Sequence, residues 1–332
     1  MVKKQIPQFW YASEGETSPL TSLLLKPFSL LYQGISTTNR AITRTRKSPL
    51  PVICIGNLTI GGAGKTPTAR AIHDLVKSHG KFATPCFLMR GYGGKNKGPI
   101  EVDLTTHTSW DVGDEALMQA RYAPTIVSRN RYDGAKLAKK LGYDLVIMDD
   151  GFQNMSLKKD IAIIVIDGGF GLGNAQCFPS GPLRETVESG SARANAALII
   201  NRTEVTKNIN LGPLKQFDGS IELQDTGTPN EDKEVIAFAG IARPEKFFNT
   251  LEDNGYHLHA HYGFPDHATY THGQLQKLTS YAEKEGVQLI TTEKDWVRLS
   301  QKWQSKISYL KIAINLDEKF QNYIIKKLDK LS

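Results

Sequence analysis

Runs that are apolar at nearly every position, rather than at alternate ones, recur through the first two thirds of the chain: Pro51–Ile55, Phe82–Met89, Thr125–Val127, Leu145–Met148, Ile161–Ile166 and Ala196–Ile200. Strands buried on both faces read this way, and such strands belong to parallel sheets covered by helices. Between them the period lengthens. Ala69, Ile72, Leu75 and Val76 fall on one helical face that Gly80 ends, Ala116 to Ala120 forms another helix, and a third runs from Arg131 through Leu141. From about Gln216 the pattern restarts, with a strand over Val235–Ala239, helices over Glu245–Leu251 and Gly273–Glu285, and a strand over Gln288–Thr291. The spacing predicts an α/β protein, an α/β/α sandwich with a mainly parallel sheet over 48–215. A second, smaller α/β domain follows over 216–332, whose lysine-rich final helix can pack back on the first.

Residues 1–47 differ in pattern from the rest of the chain. Leu20, Leu23, Leu24, Leu25, Phe28, Leu30, Leu31 and Ile35 cluster, with Lys26, Arg40, Arg44, Arg46 and Lys47 among and after them. Lys26-Pro27 is expected to break the run, leaving less than the roughly 20 apolar residues of a spanning helix. No small-residue cleavage site of a signal peptide follows it. Two readings stay open from the residues alone. The segment lies in a membrane interface with its cations against lipid phosphates, or it packs on the core. Phe9-Trp10-Tyr11 likewise fits either headgroup level or packing.

Composition adds sign but not identity. The formal charge of +7 favours an anionic partner. No arginine-rich tract interleaved with aromatics appears, so nucleic acid is not expected. Cys54, Cys86 and Cys177 lack metal-ligand spacing and read as reduced core thiols.

The candidate chemistry comes after the strands. Beyond Ile55 lies Gly56-Asn57-Leu58-Thr59-Ile60-Gly61-Gly62-Ala63-Gly64-Lys65-Thr66, a glycine-rich turn opening a helix. Gly61, Gly62, Ala63 and Gly64 can turn their N–H groups towards one phosphate, with Lys65 as cation and Thr66 as a hydroxyl for Mg²⁺. The usual first glycine is replaced by Thr59. Leu145 to Met148 delivers Asp149 and Asp150 at a strand's C-terminal end, where a bound metal would lie beside Lys65 and Thr66. Gly151-Phe152-Gln153-Asn154 continues that loop. Asp114 and Glu115 open a helix, as a cap or as acids dividing work between nucleophile and metal. Arg90-Gly91-Tyr92-Gly93-Gly94-Lys95 is either a phosphate contact or an ordinary turn. Arg129 and Arg131 are candidate phosphoryl clamps, or else solvated. Arg184 and Glu185 end a long loop of functional length. His267 lies in the Pro-centred Tyr262–His267 loop, and Thr292-Glu293-Lys294-Asp295 doubles as a helix cap.

Together GNLTIGGAGKT, RGYGG, DVGDE, DDGFQ, GPLRE, FPDH and TTEKDWVR, in this order and spacing, resemble the tetraacyldisaccharide 4'-kinases of lipid A biosynthesis over nearly the whole chain. The resemblance implies a kinase that passes the γ-phosphoryl of ATP, with Mg²⁺, to the 4'-hydroxyl of an acylated glucosamine disaccharide. It implies work at the cytoplasmic face of the inner membrane, which favours membrane contact for the leucine-rich start, and no obligate protein partner is expected. It further implies that Lys65 and Thr66 hold phosphates and metal, that Asp114 is the catalytic aspartate paired with His267, and that Glu115 lies near the metal. Asp149, Asp150 and Gln153 match the DDGFQ site, Arg131 (less directly Arg129) a phosphate-contacting arginine, and Arg184 and Glu185 the GPLRE loop. Where family members often carry a second histidine after His267, this chain has Ala268. The competing reading is a P-loop nucleotide hydrolase acting as a membrane-docked switch, though Asn201-Arg202-Thr203-Glu204 offers only a loose base-reading signature. A third is a docked interaction protein with vestigial nucleotide binding.

Overall fold

The computed structural model describes residues 7–10, 19–224 and 233–331. The expectation on Tyr11 and those on residues 1–6 and 11–18 lie outside the described residues. The chain begins with α1 (Pro19–Ile42), β1 (Val52–Gly56), α2 (Lys65–His79), β2 (Pro85–Met89) and β3 (Ile100–Glu101). Next come α3 (Ser109–Val112), α4 (Asp114–Ala120), β4 (Thr125–Val127), α5 (Arg131–Lys140), β5 (Leu145–Asp149), β6 (Ile161–Asp167), α6 (Val187–Ser191) and β7 (Ala196–Ile200). The remainder holds β8 (Gln216–Gln224), β9 (Glu234–Ala239), α7 (Pro244–Asp253), β10 (His257–Gly263), α8 (His272–Glu285) and β11 (Gln288–Thr292). It closes with α9 (Glu293–Trp296), α10 (Gln301–Gln304), β12 (Ser308–Leu316) and α11 (Glu318–Leu328).

These strands form one twelve-stranded sheet in the order β10-β9-β11-β12-β8-β7-β6-β1-β5-β2-β4-β3. All pairs are parallel except β3 with β4 and β8 with β12, so the expected mainly parallel α/β sheet is what forms. The continuous apolar runs are its centre: every residue of β1, β5, β6 and β7 is buried. Side chains alternate between two cores. Ile53, Ile55, Ile147 and Ile163 pack against Ile72 and Val76 of α2, while Cys54, Met148 and Ile164 pack on the other face with Ala135 and Ala138 of α5. Each isoleucine so buried stabilises the fold by about 1.5–3 kcal/mol. Phe320, Ile324 and Leu328 of α11 join the α2 face, so the last helix packs on the first half of the sheet.

The N-terminal expectation needs correction at one point. Pro27 sits inside α1 and does not end it. It is exposed, and the loss of one backbone bond is outweighed by the turns on either side. One face of α1 docks: Ser29 is buried, donating to the Cys177 carbonyl at 2.9 Å and meeting Ser180 Oγ at 2.7 Å, and Tyr32 meets Phe178 edge to face. The other face is apolar and bare. Leu24, Phe28, Leu31, Ile35 and Ile42, spaced three, four or seven apart, are 55% to 74% exposed. Among the described residues no helix is long and apolar enough to cross a membrane. Trp10 packs, buried, with Nε1 donating to the Pro179 carbonyl at 3.0 Å.

Candidate active site

The functional side chains gather beyond the C-terminal ends of parallel strands, the place where open α/β sheets bind ligands. β1 leads into the glycine-rich loop expected to bind phosphate, and its register with β5, Ile55 opposite Asp149, sets the strand-end acids beside that loop. Gly64 takes φ 84° as the residue before α2, a left-handed turn that a side chain would strain. Thr59 needs no such freedom. It is buried, bridged to Leu183, and its carbonyl accepts from Asn57 Nδ2 at 2.7 Å, which pins the loop without a glycine there.

Lys65, the first residue of α2, places Nζ 3.7 Å from Asp150 Oδ1, and Arg184 Nη1 meets the same oxygen at 3.0 Å. Burial opposes the charge of Asp150, but Lys65 and Arg184 hold its carboxyl below the ordinary carboxylate range. Gln153 closes the loop, donating to the Asn57 carbonyl at 2.8 Å and accepting from Arg184 at 3.3 Å. Asp149 differs from its neighbour. It is buried, and burial followed by the nearby Glu115 and Asp150 charges pushes its carboxyl up to about 7, against the pull of the Thr66 hydroxyl and Lys65. Asp149 Oδ1 has no hydrogen-bond partner.

That orphaned oxygen tests whether a magnesium ion fits. Asp149 is buried under the charges of the half-buried Glu115 and Asp150, and acids so crowded disfavour each other unless a cation joins them. The oxygens of Asp149, Glu115 and Thr66 are the hard donors that Mg²⁺ takes, usually one or two carboxylates with water and phosphate. Among the described residues no group of three His, Cys, Asp or Glu side chains is placed to hold a metal ion by itself, and an ion here would need phosphate or water as further ligands.

Asp114 opens α4 after Gly113, whose φ of 89° and approach to the Tyr92 carbonyl, 2.2 Å from where a Cβ would sit, admit no side chain. His267, in a left-handed turn at φ 57°, brings Nδ1 within 3.0 Å of Asp114 Oδ2. Arg298 Nε donates to the same oxygen at 2.7 Å. Burial works against the charge of Asp114, yet the His267 bond and Arg298 hold it below the usual range. Lys294 completes the cluster, with Nζ 3.4 Å from His267 Nε2 and 3.3 Å from Glu115 Oε1. A lysine ammonium only donates, so His267 Nε2 accepts and the Nδ1 proton points at Asp114.

Not every candidate joins this cluster. The RGYGG segment lies along the Asp114 turn, with Lys95 N bonding the Trp110 carbonyl at 3.0 Å and Asn96 N the Asp111 carbonyl at 2.9 Å, while Arg90 is exposed. Arg131 is buried at the start of α5, bonded through Nη1 to the Ser128 carbonyl, with Nε unpartnered. Burial and the charge of Arg90 lower its pKa to about 10, against the pull of Cys54 and Asp150. Glu185 pairs with Arg40 of α1 and with Arg193, and accepts from Gln153 at 3.3 Å, so it ties the N-terminal helix to the core. Sequence reasoning assigned no role to Arg298, Lys294 or Arg243. The last crosses from the start of α7 to bond the Gly62 carbonyl at 3.0 Å and Asp167 at 2.7 Å.

The family profile described as tetraacyldisaccharide-1-P 4'-kinase matches residues 21–329. Relatives named tetraacyldisaccharide 4'-kinase include one from Hyphomonas neptunium, 42% identical over 305 residues, covering 91% of this chain and 90% of the relative. Another, from Bradyrhizobium sp., is 42% identical over 299 residues, covering 88% and 87%. A crystal structure of LpxK from Aquifex aeolicus, described as its "apo" form in complex with ATP, matches with a TM-score of 0.74 at 26% identity, over 93% of this chain and 98% of that one. The phosphate loop, the strand-end acids and the Asp114–His267 pair thus sit in a chain that belongs, along nearly its whole length, to the tetraacyldisaccharide 4'-kinase family.

Proposed function

We propose that the chain transfers the γ-phosphoryl group of ATP to the 4'-hydroxyl of a tetraacylated glucosamine disaccharide 1-phosphate, at the cytoplasmic face of the inner membrane. The observation that carries this reading is the meeting of Asp114, His267 and Arg298, joined through Lys294 to Glu115, whose charge acts on Asp149 next to the Asp150–Lys65 pair. Family membership favours it over the hydrolytic switch, since the relatives named above are tetraacyldisaccharide 4'-kinases.

In this reading the amides of 61–66 and Lys65 hold the triphosphate, and Arg131 and Arg90 add positive charge behind it. Thr66, Glu115 and Asp149 would hold magnesium together with phosphate and water, and Asp150 would complete this acid cluster while fixing Lys65 and Arg184. Magnesium neutralises charge on the phosphates when bound. The sugar hydroxyl gives its proton to Asp114 Oδ1, since Oδ2 is occupied by His267 and Arg298. A bond forms from the sugar oxygen to the γ-phosphorus as the bond to the β-phosphate oxygen breaks, and ADP leaves with that electron pair. We read 48–215 and 216–332 as two domains that close over the nucleotide, with Arg243, Lys294 and Arg298 arriving from the second.

The bare face of α1 supports a peripheral or monotopic association, its leucines in the acyl boundary and its docked face on the core. Between α1 and the 153–156 loop lies a cleft of about 380 Å³ lined by Tyr32, Ile35, Asn39, Arg40 and Met155, suited to an amphiphile entering from that face. Changing Leu24, Phe28 and Leu31 together to serine should abolish sedimentation with anionic phospholipid vesicles. The melting temperature should stay unchanged, because these side chains leave no cavity. Equal sedimentation of the triple variant would remove the membrane role of this face.

The function itself is tested by incubating γ-labelled ATP with the chain, with and without the acylated disaccharide. Label should enter lipid only when the disaccharide is present. Release of label to water regardless of lipid would instead support the switch.

A further inference from the structure

Asp149 is gripped from a direction that its own strand does not provide. Gln119, in α4 and fully buried, donates from Nε2 to Asp149 Oδ2 at 3.2 Å. An amide side chain can bind either way round, so something must choose. Arg70 of α2 chooses, because its Nε donates to Gln119 Oε1 at 2.8 Å and a guanidinium has no acceptor to offer. Arg70 is itself fixed, 5% exposed, with Nη2 on the Met118 carbonyl at 2.9 Å. Its remaining hydrogens form a forked pair with Glu293, Nη1 to Oε2 at 2.7 Å and Nη2 to Oε1 at 2.9 Å. Glu293 opens α9, the helix whose next residue, Lys294, reaches Glu115 and His267.

We propose that Glu293, Arg70 and Gln119 are positioning residues of the magnesium site: Glu293 locks Arg70, Arg70 sets the direction of the Gln119 amide, and that amide engages Asp149 Oδ2 so that the unpartnered Oδ1 faces the ion. The proposal rests on the kinase reading above. It also makes the metal site sensitive to whether the second half of the sheet is in place, since Glu293 arrives from there. The guanidinium of Arg70 makes four bonds, two of them a fork to one carboxylate, whereas an ammonium has three donors on a single nitrogen and cannot reproduce the fork.

The test is Mn²⁺ affinity, read by electron paramagnetic resonance on the full chain with adenylyl imidodiphosphate, alongside steady-state kinetics. Gln119→Leu should raise the Mn²⁺ dissociation constant about ten- to a hundredfold, the usual effect of removing a ligand's supporting partner. Arg70→Lys should behave alike. Glu293→Gln, at a side chain 15% exposed, should fold as the parent does and weaken Mn²⁺ in the same direction. In each, turnover should recover as Mg²⁺ is raised, which a merely structural lesion would not show. If Gln119→Leu does not fold, Glu293→Gln carries the test. Mn²⁺ affinity within twofold of the parent in the folded variants overturns the proposal alone, provided Asp149→Asn abolishes binding. A parent that binds no Mn²⁺ with the nucleotide, or whose binding ignores Asp149→Asn, overturns the functional reading and this proposal together.

Discussion

Asp114→Ala lowers turnover by at least about a hundredfold with ATP affinity little changed, the loss expected for a positioned base. The side chain meets no group of the phosphate loop, and its partners are His267 Nδ1 at 3.0 Å and Arg298 Nε at 2.7 Å. Binding of nucleotide therefore survives its removal, and the effect falls on kcat. Alanine leaves His267 without its carboxylate, while Arg298 keeps Asp295 at 2.9 Å. Asp114→Asn, which keeps the shape and one acceptor, should lose activity to a similar degree, because an amide does not take the proton. The same contacts set the sign with pH. A carboxyl held below its ordinary value, near 3.9, stays ionised across neutral pH. It stabilises the fold above that value, and the stabilisation is lost as pH falls through the depressed value. Initial-rate kinetics with a separate nucleotide titration decide it. Turnover of either variant equal to the parent's would remove Asp114 from the chemistry.

Lys65→Met should cost about two to three orders of magnitude in turnover and weaken ATP as well, the effect of losing a charge aimed at the transferring group. Methionine keeps much of the length and apolar body of lysine, so the change isolates the ammonium. The fold should hold. Asp150 retains Arg184 at 3.0 Å after the 3.7 Å pair with Lys65 is gone, and Gly64 still supplies the turn into α2. In this account Lys65 holds the phosphates in the ground state and more strongly in the transition state, so both KM and kcat should move, unlike Asp114→Ala. Unchanged KM and kcat would place the triphosphate away from this lysine.

Legibility from sequence tracked the physics of burial. β1, β5, β6 and β7 are continuous apolar runs because both their faces are covered, and they stood out along with the loops after them. β8 and β12, which join the two halves of the sheet as an antiparallel pair, did not: β8 alternates half-buried and exposed positions, with Gly219 inside it. β10 is an edge strand whose His257, His259 and His261 give it no apolar signature. The pairing of Asp149 with the phosphate loop was readable from strand and turn order. Arg298 was not assignable, since its three-residue spacing from Asp295 marks a local pair while its contact with Asp114 spans 184 positions. Gln119 and Arg70 read as ordinary helix residues for the same reason. Glu185 is grouped with the site by its motif, and in the structure it accepts from Gln153 and also bonds Arg40 and Arg193, so that it docks α1 on the loop.

Catalysis as described turns on a triphosphate seated on the amides of 61–66 with its metal against Asp149. A crystal of the chain grown with adenylyl imidodiphosphate and Mn²⁺ measures this directly through the anomalous signal of manganese. One peak is expected within coordination distance of Asp149 Oδ1 and Thr66 Oγ1, with the γ-phosphate between Lys65 and Asp114. Nucleotide bound elsewhere, or a manganese peak out of reach of Asp149, would contradict it.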